Sequence, residues 1–382
     1  MMKIIVLGSG MMGSAMVYDL SKFSNFEEIT IADRDKKSLE TSSNFLKNHN
    51  INYLTLNVDN STEIKKQFKK YDIAISAIPY KYNYELAKVS IDTKTHFLDL
   101  GGNNDIVDKE RSLFKNAKKS GITIIPDCGL APGLASVITR DIVENMNNID
   151  FVKIRVGGLP INPLPPLNYQ IVFSPYGLIN EYVEDSIILE NGKIVTKKSM
   201  TEIEEIKFPK PFGVMEAFLT SGGASTLPYT YKDKIGYLDY KTIRYPGHCK
   251  YFKHLLDFGL ANNEKICIGD KEFIPREEFV SFLLKILPQN EKDVVLLKIL
   301  SKGKREDKNV NINYTMIDYF DEKNNITSMM RTTSYPTSII AQLIENDNIK
   351  DHGVFGCEEI VPCKPFFSEL KKRGIEIKKE IK

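Results

Sequence analysis

The chain has 382 residues, of which 42% are hydrophobic and 27% are charged, and 52 basic against 50 acidic side chains give a formal net charge of +2. A chain of this length can bury a sizeable core, and its length predicts about two domains. The near balance of charge excludes both the basic excess of a nucleic-acid-binding protein and the acidic excess of a disordered tail, so we expect no nucleic-acid partner.

The apolar runs are short, so we expect no membrane-spanning segment and no membrane partner. An apolar strand follows Met1-Met2-Lys3 almost at once, so we also expect no signal peptide. The five cysteines are scattered and odd in number, which fits a reducing cytoplasm better than a disulfide framework. Cys357 and Cys363 have no ligand companion at zinc spacing, so we predict no metal site.

Predicted strands and helices alternate in the first third of the chain. The buried-strand run 3–7 is followed by a glycine-rich turn and a helix over 11–23. Further strands are predicted at 29–32, 53–56, 73–77, 96–100 and 122–126, and further helices at 61–70, 82–91 and 106–119. This alternation predicts right-handed crossovers and an α/β fold with a doubly wound parallel sheet of the Rossmann type.

The pattern changes near Cys128. From Asp150 onward apolar and polar residues alternate, which predicts an α+β domain with a mixed or antiparallel sheet and one face open to solvent or a ligand. The segment from Asn290 to Ser328 reads as strands that extend this sheet, and helices are predicted at 338–346 and 366–372. The predicted domains are therefore a Rossmann domain at 1–127, a second domain at 128–336, and C-terminal helices at 337–382.

The glycine-rich turn reads Gly8-Ser9-Gly10-Met11-Met12-Gly13. Gly8 permits a tight turn, Gly10 lets the backbone approach a pyrophosphate, and Gly13 lets helix and strand pack closely. The helix start also offers unpaired N–H groups and a positive dipole to phosphates. Because the turn follows a strand, opens a helix and precedes Asp33 at the end of the second strand, we predict dinucleotide binding rather than a plain strand–helix turn.

Asp33 decides which dinucleotide is expected. A carboxylate at this place accepts hydrogen bonds from ribose hydroxyls and repels a 2′-phosphate, which favours NAD. Arg34 could instead pair with that phosphate or stack on adenine, or could be an exposed surface arginine. We therefore predict NAD, with NADP as the alternative. The other predicted cofactor contacts lie at or near strand ends: Met11, Met12, Asp59, Ala77, Pro79, Asn83, Asp99 and Gly101.

Motifs outside this turn carry a family resemblance. They are found at 99–103, 125–133, 156–160, 165–169, 216–218, 221–227 and 241–248. Together they resemble the saccharopine dehydrogenase-like family, and within it they are most similar to lysine 6-dehydrogenases, whereas Cys128 matches the saccharopine reductase pattern. The resemblance runs nearly end to end. It implies that the C-terminal helices return to pack on the Rossmann domain and that the protein is a homodimer.

The resemblance also implies oxidation of a carbon that bears an amine, in an amino-acid or polyamine substrate. The first reading is NAD-dependent oxidation of the ε-amine of L-lysine to an imine or semialdehyde that cyclises to piperideine-6-carboxylate, with release of ammonia. The alternative is a saccharopine reductase or a carboxynorspermidine-type dehydrogenase. The substrate of such an enzyme has a second arm that carries a carboxylate, which would need a second cation, from Arg140, Arg155 or Lys241. A non-enzymatic NAD(P)-sensing module is a third reading, although it would not need the second domain.

The chemistry of amine oxidation points to candidate residues. Hydride leaves the carbon only when the nitrogen lone pair is free, and neutralising a lysine ε-ammonium at pH 7 costs about 4–5 kcal/mol. His248 is the candidate base, or else a hydrogen-bonded histidine in a turn. Asp127 and Glu216 could bind the α-ammonium or position water, or could be solvated or turn residues. Arg244 could clamp the α-carboxylate or form an internal ion pair. The remaining predicted substrate contacts are Lys241, Tyr169 and Thr242.

Overall fold

The computed structural model describes residues 1–289 and 291–382, which form two compact units. Asn290, where the predicted strand segment of the second domain begins, lies outside the described residues. The first unit comprises Met1–Glu144, Ser225–Leu227 and Met330–Ile375, and the second comprises Asn145–Ala224, Pro228–Met329 and Glu376–Lys382. The C-terminal helices thus belong to the same unit as the glycine-rich turn.

The helices and strands follow the chain in three groups. The first group is β1 Lys3–Leu7, α1 Met11–Phe23, β2 Glu28–Asp33, α2 Lys36–Phe45, β3 Asn52–Thr55, α3 Ser61–Phe68, β4 Ile73–Ser76, α4 Asn83–Thr93, β5 His96–Asp99, α5 Asn104–Ser112, α6 Phe114–Ser120, β6 Thr123–Ile125 and α7 Ala135–Glu144.

The second group is β7 Asn148–Pro160, α8 Pro175–Val183, β8 Ser186–Glu190, β9 Lys193–Lys197, β10 Glu204–Lys207, β11 Val214–Leu219, α9 Leu227–Tyr231, β12 Ile235–Arg244, α10 His248–Leu255, β13 Ile266–Ile268, β14 Lys271–Phe273, α11 Pro275–Ile286, β15 Asp293–Arg305, β16 Lys308–Val310 and β17 Ile312–Tyr319. The third group is α12 Ser328–Glu345, β18 Gly353–Val354, α13 Cys357–Ile360, α14 Cys363–Lys372 and β19 Ile377–Ile381.

The first unit is built on a parallel sheet in the order β18-β6-β5-β4-β1-β2-β3. Its central strands are mostly apolar, and β4 is buried at every position, because helices cover both faces of a doubly wound sheet. This confirms the predicted Rossmann-type fold. The parallel arrangement brings the carboxyl ends of all these strands to one edge of the sheet, where open α/β sheets bind their ligands.

Two predicted helices differ from the observed ones. The helix predicted over 106–119 is broken at Leu113, whose backbone (φ −80°, ψ 0°) ends α5 before α6 begins. The helix predicted over 338–346 starts earlier, at Ser328, and contains Pro336 in its interior. Proline normally ends a helical prediction because it lacks an N–H donor, so the sequence pattern understates the length of α12.

The second unit contains a mixed sheet in the order β10-β11-β12-β7-β15-β17-β19, which confirms the predicted α+β architecture. Strands β12 and β7 are parallel, and their neighbours along this path are antiparallel. The expectation of one open face is wrong for much of β7, since Val156 and Arg155, which point to opposite faces, are 3% and 1% exposed. In the described part of the chain, no helix is long and apolar enough to cross a membrane.

Candidate functional site

The glycine-rich turn between β1 and α1 is closely packed at two of its glycines and open at the third. A Cβ atom on Gly8 would lie 2.6 Å from the carbonyl oxygen of Ala77, and one on Gly13 would lie 1.9 Å from the carbonyl oxygen of Gly8. A Cβ atom on Gly10 would meet no atom within 4 Å. Packing therefore requires Gly8 and Gly13, whereas Gly10 borders open space of the kind that a pyrophosphate needs.

Helix α1 begins directly after this turn, with Met11, Met12 and Gly13 in its first turn. Gly10 is the N-cap residue and provides no side-chain hydrogen bond to the helix. The first backbone N–H groups therefore lack a side-chain cap, and they lie at the positive end of the helix dipole. Open space beside such N–H groups fits the phosphates of a dinucleotide.

Asp33 ends β2 beside the turn and is held there by three donors. Its Oδ2 accepts hydrogen bonds from the backbone N–H of Ser9 (2.8 Å) and from the Ser9 hydroxyl (3.0 Å), and its Oδ1 accepts one from the N–H of Asp35 (2.9 Å). A carboxylate has about four acceptor sites, so one remains for a ribose hydroxyl. Arg34, which follows in the chain, is exposed.

Four further predicted cofactor contacts come after strands β3 and β4 of this sheet. Ala77 and Pro79 follow β4, and the backbone N–H of Ala77 donates to the carbonyl oxygen of Leu7 at 2.8 Å. Asn83 is buried, and its Oδ1 accepts a hydrogen bond from the Ser76 hydroxyl at 2.7 Å. Asp59 is exposed in the turn that precedes α3. Asn83 therefore supports the loop after β4. Ala77 and Pro79 belong to that loop, and Asp59 lies in a different turn.

Two buried carboxyl groups lie at the carboxyl ends of the neighbouring strands β5 and β6: Asp99 is the last residue of β5, Asp127 follows β6, and they are 0% and 5% exposed. Asp99 Oδ1 accepts hydrogen bonds from the N–H of Gly101 (2.6 Å) and of Asp127 (3.4 Å). Asp127 Oδ2 accepts one from the hydroxyl of Ser225. A Cβ atom on Gly101 would lie 1.5 Å from Asp127 Oδ1, so the carboxylate occupies the space that a side chain at residue 101 would fill.

The environment of Asp127 suits proton exchange near neutral pH. Burial raises its pKa to about 7, the negative charge of Asp99 acts in the same direction, and the Ser225 hydrogen bond opposes both. Burial likewise raises the pKa of Asp99 to about 6, against the opposing hydrogen bond from Gly101. Asp127 is thus present in both protonation states near pH 7, which is the condition for an efficient general acid or base.

In the second unit, Arg244 at the end of β12 is 2% exposed and lies among aromatic side chains. Its guanidinium carbon is 4.9 Å from the ring centre of Tyr169 and 5.9 Å from that of Tyr182. Its Nε donates to the Tyr182 hydroxyl and its Nη1 to the carbonyl oxygen of Ile243, both at 2.9 Å. No acidic side chain of the described residues forms an ion pair with it. Nearby Glu181 has a pKa raised by burial to about 7.

His248 has both ring nitrogens engaged. Its Nδ1 lies 2.8 Å from the carbonyl oxygen of Leu167, which can only accept, so Nδ1 carries the proton. Its Nε2 then accepts from the Tyr182 hydroxyl at 3.1 Å. The ring is 1% exposed and stacks on Phe252, and burial, followed by the charge of Arg244, lowers its pKa to about 3. These contacts argue against the role of base that the sequence suggested.

Lys241 and Arg244 lie three residues apart on β12, and side chains alternate along a strand, so they point to opposite faces of the sheet. The Lys241 ammonium is 3.2 Å from Glu204 Oε2. On the same face, Arg155 donates to both carboxylate oxygens of Asp239, at 2.7 and 2.9 Å. Both cations are therefore engaged within the unit, and neither joins the Arg244 cluster.

Glu216 and Thr242 are occupied by contacts within the second unit. The Glu216 carboxylate accepts from the N–H of Gly247 (2.9 Å) and of Cys249 (2.6 Å), which caps the start of α10. The Thr242 hydroxyl lies 2.7 Å from that of Thr220. Of the predicted substrate residues, the structure therefore brings Arg244 and Tyr169 together with His248, and gives Glu216 a capping role.

Sequence reasoning missed several residues of these two clusters. Ser225 lies in the motif at 221–227, but its contact with Asp127 gives no local signal, because the two residues are 98 positions apart in the chain. Glu181 and Tyr182 lie on α8, a helix that the sequence reading did not single out. Glu110 could have been found, since it is three residues after Val107 on the buried face of α5. Over residues 1–289 and 291–382, no group of three or more histidine, cysteine or acidic side chains could hold a metal ion.

Both halves of the chain match models of known protein families. A family model described as the saccharopine dehydrogenase NADP binding domain matches residues 4–125, and one described as the saccharopine dehydrogenase C-terminal domain matches residues 129–375. Together the two matches extend over most of the sequence.

Individual relatives are distant. The chain is 22% identical to the saccharopine dehydrogenase (NADP(+), L-glutamate-forming) of Schizosaccharomyces pombe over 456 residues, covering 100% of this chain and 99% of that protein. It is 25% identical to the mitochondrial alpha-aminoadipic semialdehyde synthase of Mus musculus, covering 69% of this chain and 29% of that protein. The chain thus spans less than half the length of that synthase. The solved apo saccharopine dehydrogenase (L-Glu forming) of Saccharomyces cerevisiae matches with a TM-score of 0.81 at 20% identity, over 100% of both chains, which shows the shared fold.

Proposed function

The chain belongs to the saccharopine dehydrogenase family, and from that premise we propose that it oxidises the ε-amine of L-lysine with NAD. From that membership we infer an oxidoreductase that acts on a CH–NH group in lysine metabolism. The proposed products are the semialdehyde, which cyclises to piperideine-6-carboxylate, and ammonia. When bound, the dinucleotide would supply the hydride acceptor, and the open space at Gly10 beside the start of α1 fits its phosphates.

The single observation that carries the proposal is Asp127, a buried carboxyl group with a pKa of about 7 at the ligand-binding edge of the dinucleotide domain. An ionised Asp127 can accept the proton that the ε-ammonium must lose before hydride can leave the carbon. Its pKa is matched to neutral pH, where a general base is most effective. His248 is a poor acceptor, because burial lowers its pKa to about 3 and the lone pair of its Nε2 is occupied by Tyr182.

Arg244 supports a substrate with one α-carboxylate. A buried guanidinium without an ion-pair partner is costly, and a substrate carboxylate would compensate it through a charge-assisted contact. Of the cations considered for a second carboxylate arm, Arg155 and Lys241 are paired on the opposite face of the sheet. Arg140 belongs to the first unit and is paired with Glu144 at 2.7 Å. These pairings favour lysine over a substrate with further carboxylates.

A saccharopine dehydrogenase activity is the second candidate, because the Schizosaccharomyces pombe relative, which matches over the whole chain, carries that name. The two candidates differ in what the reaction releases. Lysine oxidation releases ammonia, whereas oxidative cleavage of saccharopine releases an amino acid. A sensing module would turn over neither substrate. We also propose a homodimer and a cytoplasmic location, which light scattering and cell fractionation would test.

NAD is the proposed dinucleotide, although the matching family model is described as NADP binding and the Schizosaccharomyces pombe relative is named for NADP(+). The reason is Asp33, whose carboxylate is fixed at the end of β2 by Ser9 and Asp35. A 2′-phosphate placed beside a fixed carboxylate would be repelled. Arg34 could neutralise such a phosphate, so comparison of kcat/KM for NAD and NADP decides between the two.

The decisive experiment assays a panel of amines with NAD and NADP, with products identified by mass and ammonia measured separately. We expect lysine turnover with one ammonia released per reduced dinucleotide. For the wild type, log kcat/KM should rise with pH and bend near pH 7, as Asp127 ionises. Asp127→Asn should lower kcat by about 10²–10⁴-fold and remove that bend. Saccharopine turnover without ammonia release would establish the second candidate, and an unaltered bend in Asp127→Asn would exclude Asp127 as the base.

A further inference from the structure

Glu110 is a buried acid that the proposed reaction does not use directly. It lies on the inward face of α5 and is 0% exposed. Among the described residues, no donor forms a hydrogen bond with either of its carboxyl oxygens. An ionised carboxylate in that position would be strongly unfavourable, so the side chain is held as a neutral carboxylic acid. A neutral carboxylic acid carries one O–H donor, which itself needs an acceptor.

Asp99 offers the matching acceptor. Its Oδ1 receives hydrogen bonds from the N–H groups of Gly101 and Asp127, but its Oδ2 receives none from the part of the chain that the structure describes. Asp99 is also 0% exposed, so bulk water does not reach it. The two acids are close enough that, after burial, the charge of Asp99 is the largest factor that raises the pKa of Glu110. One proton shared between them satisfies both groups.

We propose that Glu110 is a positioning residue, whose carboxylic acid donates a hydrogen bond to Asp99 Oδ2 and so fixes the carboxylate that anchors the loop carrying Asp127. The effect on the reaction rests on the proposed function, in which Asp127 accepts the substrate proton. Glu110 touches neither substrate nor dinucleotide in this scheme. It keeps the pair at a single negative charge and holds Asp99 ionised beside Asp127.

The surrounding groups are consistent with this distribution of charge. The titratable or charged groups that face the pair or its immediate neighbours are Asp127, Glu358, Cys128, Cys357, Tyr80 and Arg111. Burial raises the pKa of the Cys128 thiol, and the pKa of the Cys357 thiol is also raised, so both stay neutral at pH 7. The anionic neighbours of Asp127 are therefore Asp99 and Glu358, and Asp99 has the larger effect on its pKa.

Two variants of Glu110 distinguish the effect of its hydrogen-bond donor from the effect of its ability to ionise. Glu110→Gln keeps a donor of the same length and cannot ionise, so the bend in log kcat/KM should stay within about 0.3 pH unit of the wild type. Glu110→Met keeps the length but removes the donor, so Asp99 should take up the proton and Asp127 should lose its anionic neighbour. The bend should then move about one unit lower. Asp99→Asn should shift it in the same direction, and serves if Glu110→Met does not fold.

The pH dependence of the melting temperature gives a second readout, which does not require enzymatic activity. Burial holds the pKa of Glu110 in the folded protein above its pKa in the unfolded chain. The wild type should therefore lose stability as pH rises from the unfolded-state pKa towards the folded-state pKa. Glu110→Gln removes this loss, so its melting temperature relative to the wild type should rise from about pH 5 to about pH 8. Glu85→Gln, a change at an exposed glutamate on α4, is the matched control and should show no such trend.

The outcomes are distinct. The proposal is overturned if Glu110→Gln shifts the bend as far as Glu110→Met, if Glu110→Met leaves it in place, or if the Glu110→Gln melting curves parallel those of the wild type at every pH. If Asp127→Asn kept the bend, the proposed function would fail, and the role of Glu110 toward Asp99 would be decided by the melting curves. Calorimetric NAD binding checks that each variant retains the fold of the dinucleotide domain.

Discussion

Ser225 provides a sensitive test of the electrostatics around Asp127. Its hydroxyl donates to Asp127 Oδ2, and this contact favours the ionised carboxylate and lowers its pKa. Ser225→Ala should therefore raise the pKa of Asp127, because the folded protein then stabilises the charged form less. A hydrogen bond to a charged group is worth about 1.5–3 kcal/mol, which corresponds to about one to two pKa units.

We take the lower end of that range, because the N–H of Gly102 continues to support the carboxylate. The bend in log kcat/KM should then move from about 7 to about 8. At pH 7 the ionised fraction falls from about one half to about one tenth, so kcat/KM should drop about fivefold there and recover by about pH 9. The assay follows the absorbance of the reduced nicotinamide at saturating NAD and low lysine.

Two companion variants make the result interpretable. Ser225 has a positive φ of 40°, so Ser225→Gly removes the hydroxyl without backbone strain and should shift the bend equally. Ser221→Ala removes a hydroxyl in the second unit that contacts Glu184 at 3.4 Å, and should leave the bend in place. A bend that stays near pH 7 in both Ser225 variants, or that moves to lower pH, would refute the assignment of Asp127 as the titrating group.

Four further variants test the other assignments. Gly10→Val should abolish dinucleotide binding without lowering the melting temperature, because its Cβ enters open space. Gly13→Ala should fail to fold stably, because its Cβ would meet the carbonyl oxygen of Gly8. Calorimetry and melting curves distinguish the two. Asp33→Ala should raise KM for NAD and reduce the preference over NADP, and a wild type that uses NADP at least as well would contradict this assignment. His248→Asn should lower stability by about 1–3 kcal/mol and keep the bend near pH 7, whereas a lost bend at unchanged stability would identify His248 as the base.

The sequence predicts the fold well because the fold depends on local patterns. Apolar runs, glycine positions and the alternation of strands with helices are readable one segment at a time, and they place the turn at Gly8 and the strand end at Asp33 correctly. The break at Leu113 has no such local pattern, and the interior Pro336 hides the early start of α12, because proline normally ends a helical prediction.

The candidate site is less predictable, because its properties arise from burial and from distant contacts. His248 and Asp127 both suit acid–base chemistry in the sequence, and only their surroundings lower one pKa to about 3 and raise the other to about 7. The separation of Lys241 from Arg244 is different in kind. Once β12 is recognised as a strand, their spacing of three already places them on opposite faces of the sheet.

The first unit is assembled from segments that are far apart in the chain, and this affects how it folds during translation. Its sheet is completed by β18, which pairs with β6, and its helix layers by α12 to α14, yet these elements are encoded after all of the second unit except its C-terminal segment Glu376–Lys382. During translation, the nascent dinucleotide domain therefore waits with the edge of β6 unpaired until residues near 354 have left the ribosome. Open strand edges are aggregation hazards, so the full-length chain should fold in higher yield than a fragment that ends at Glu144.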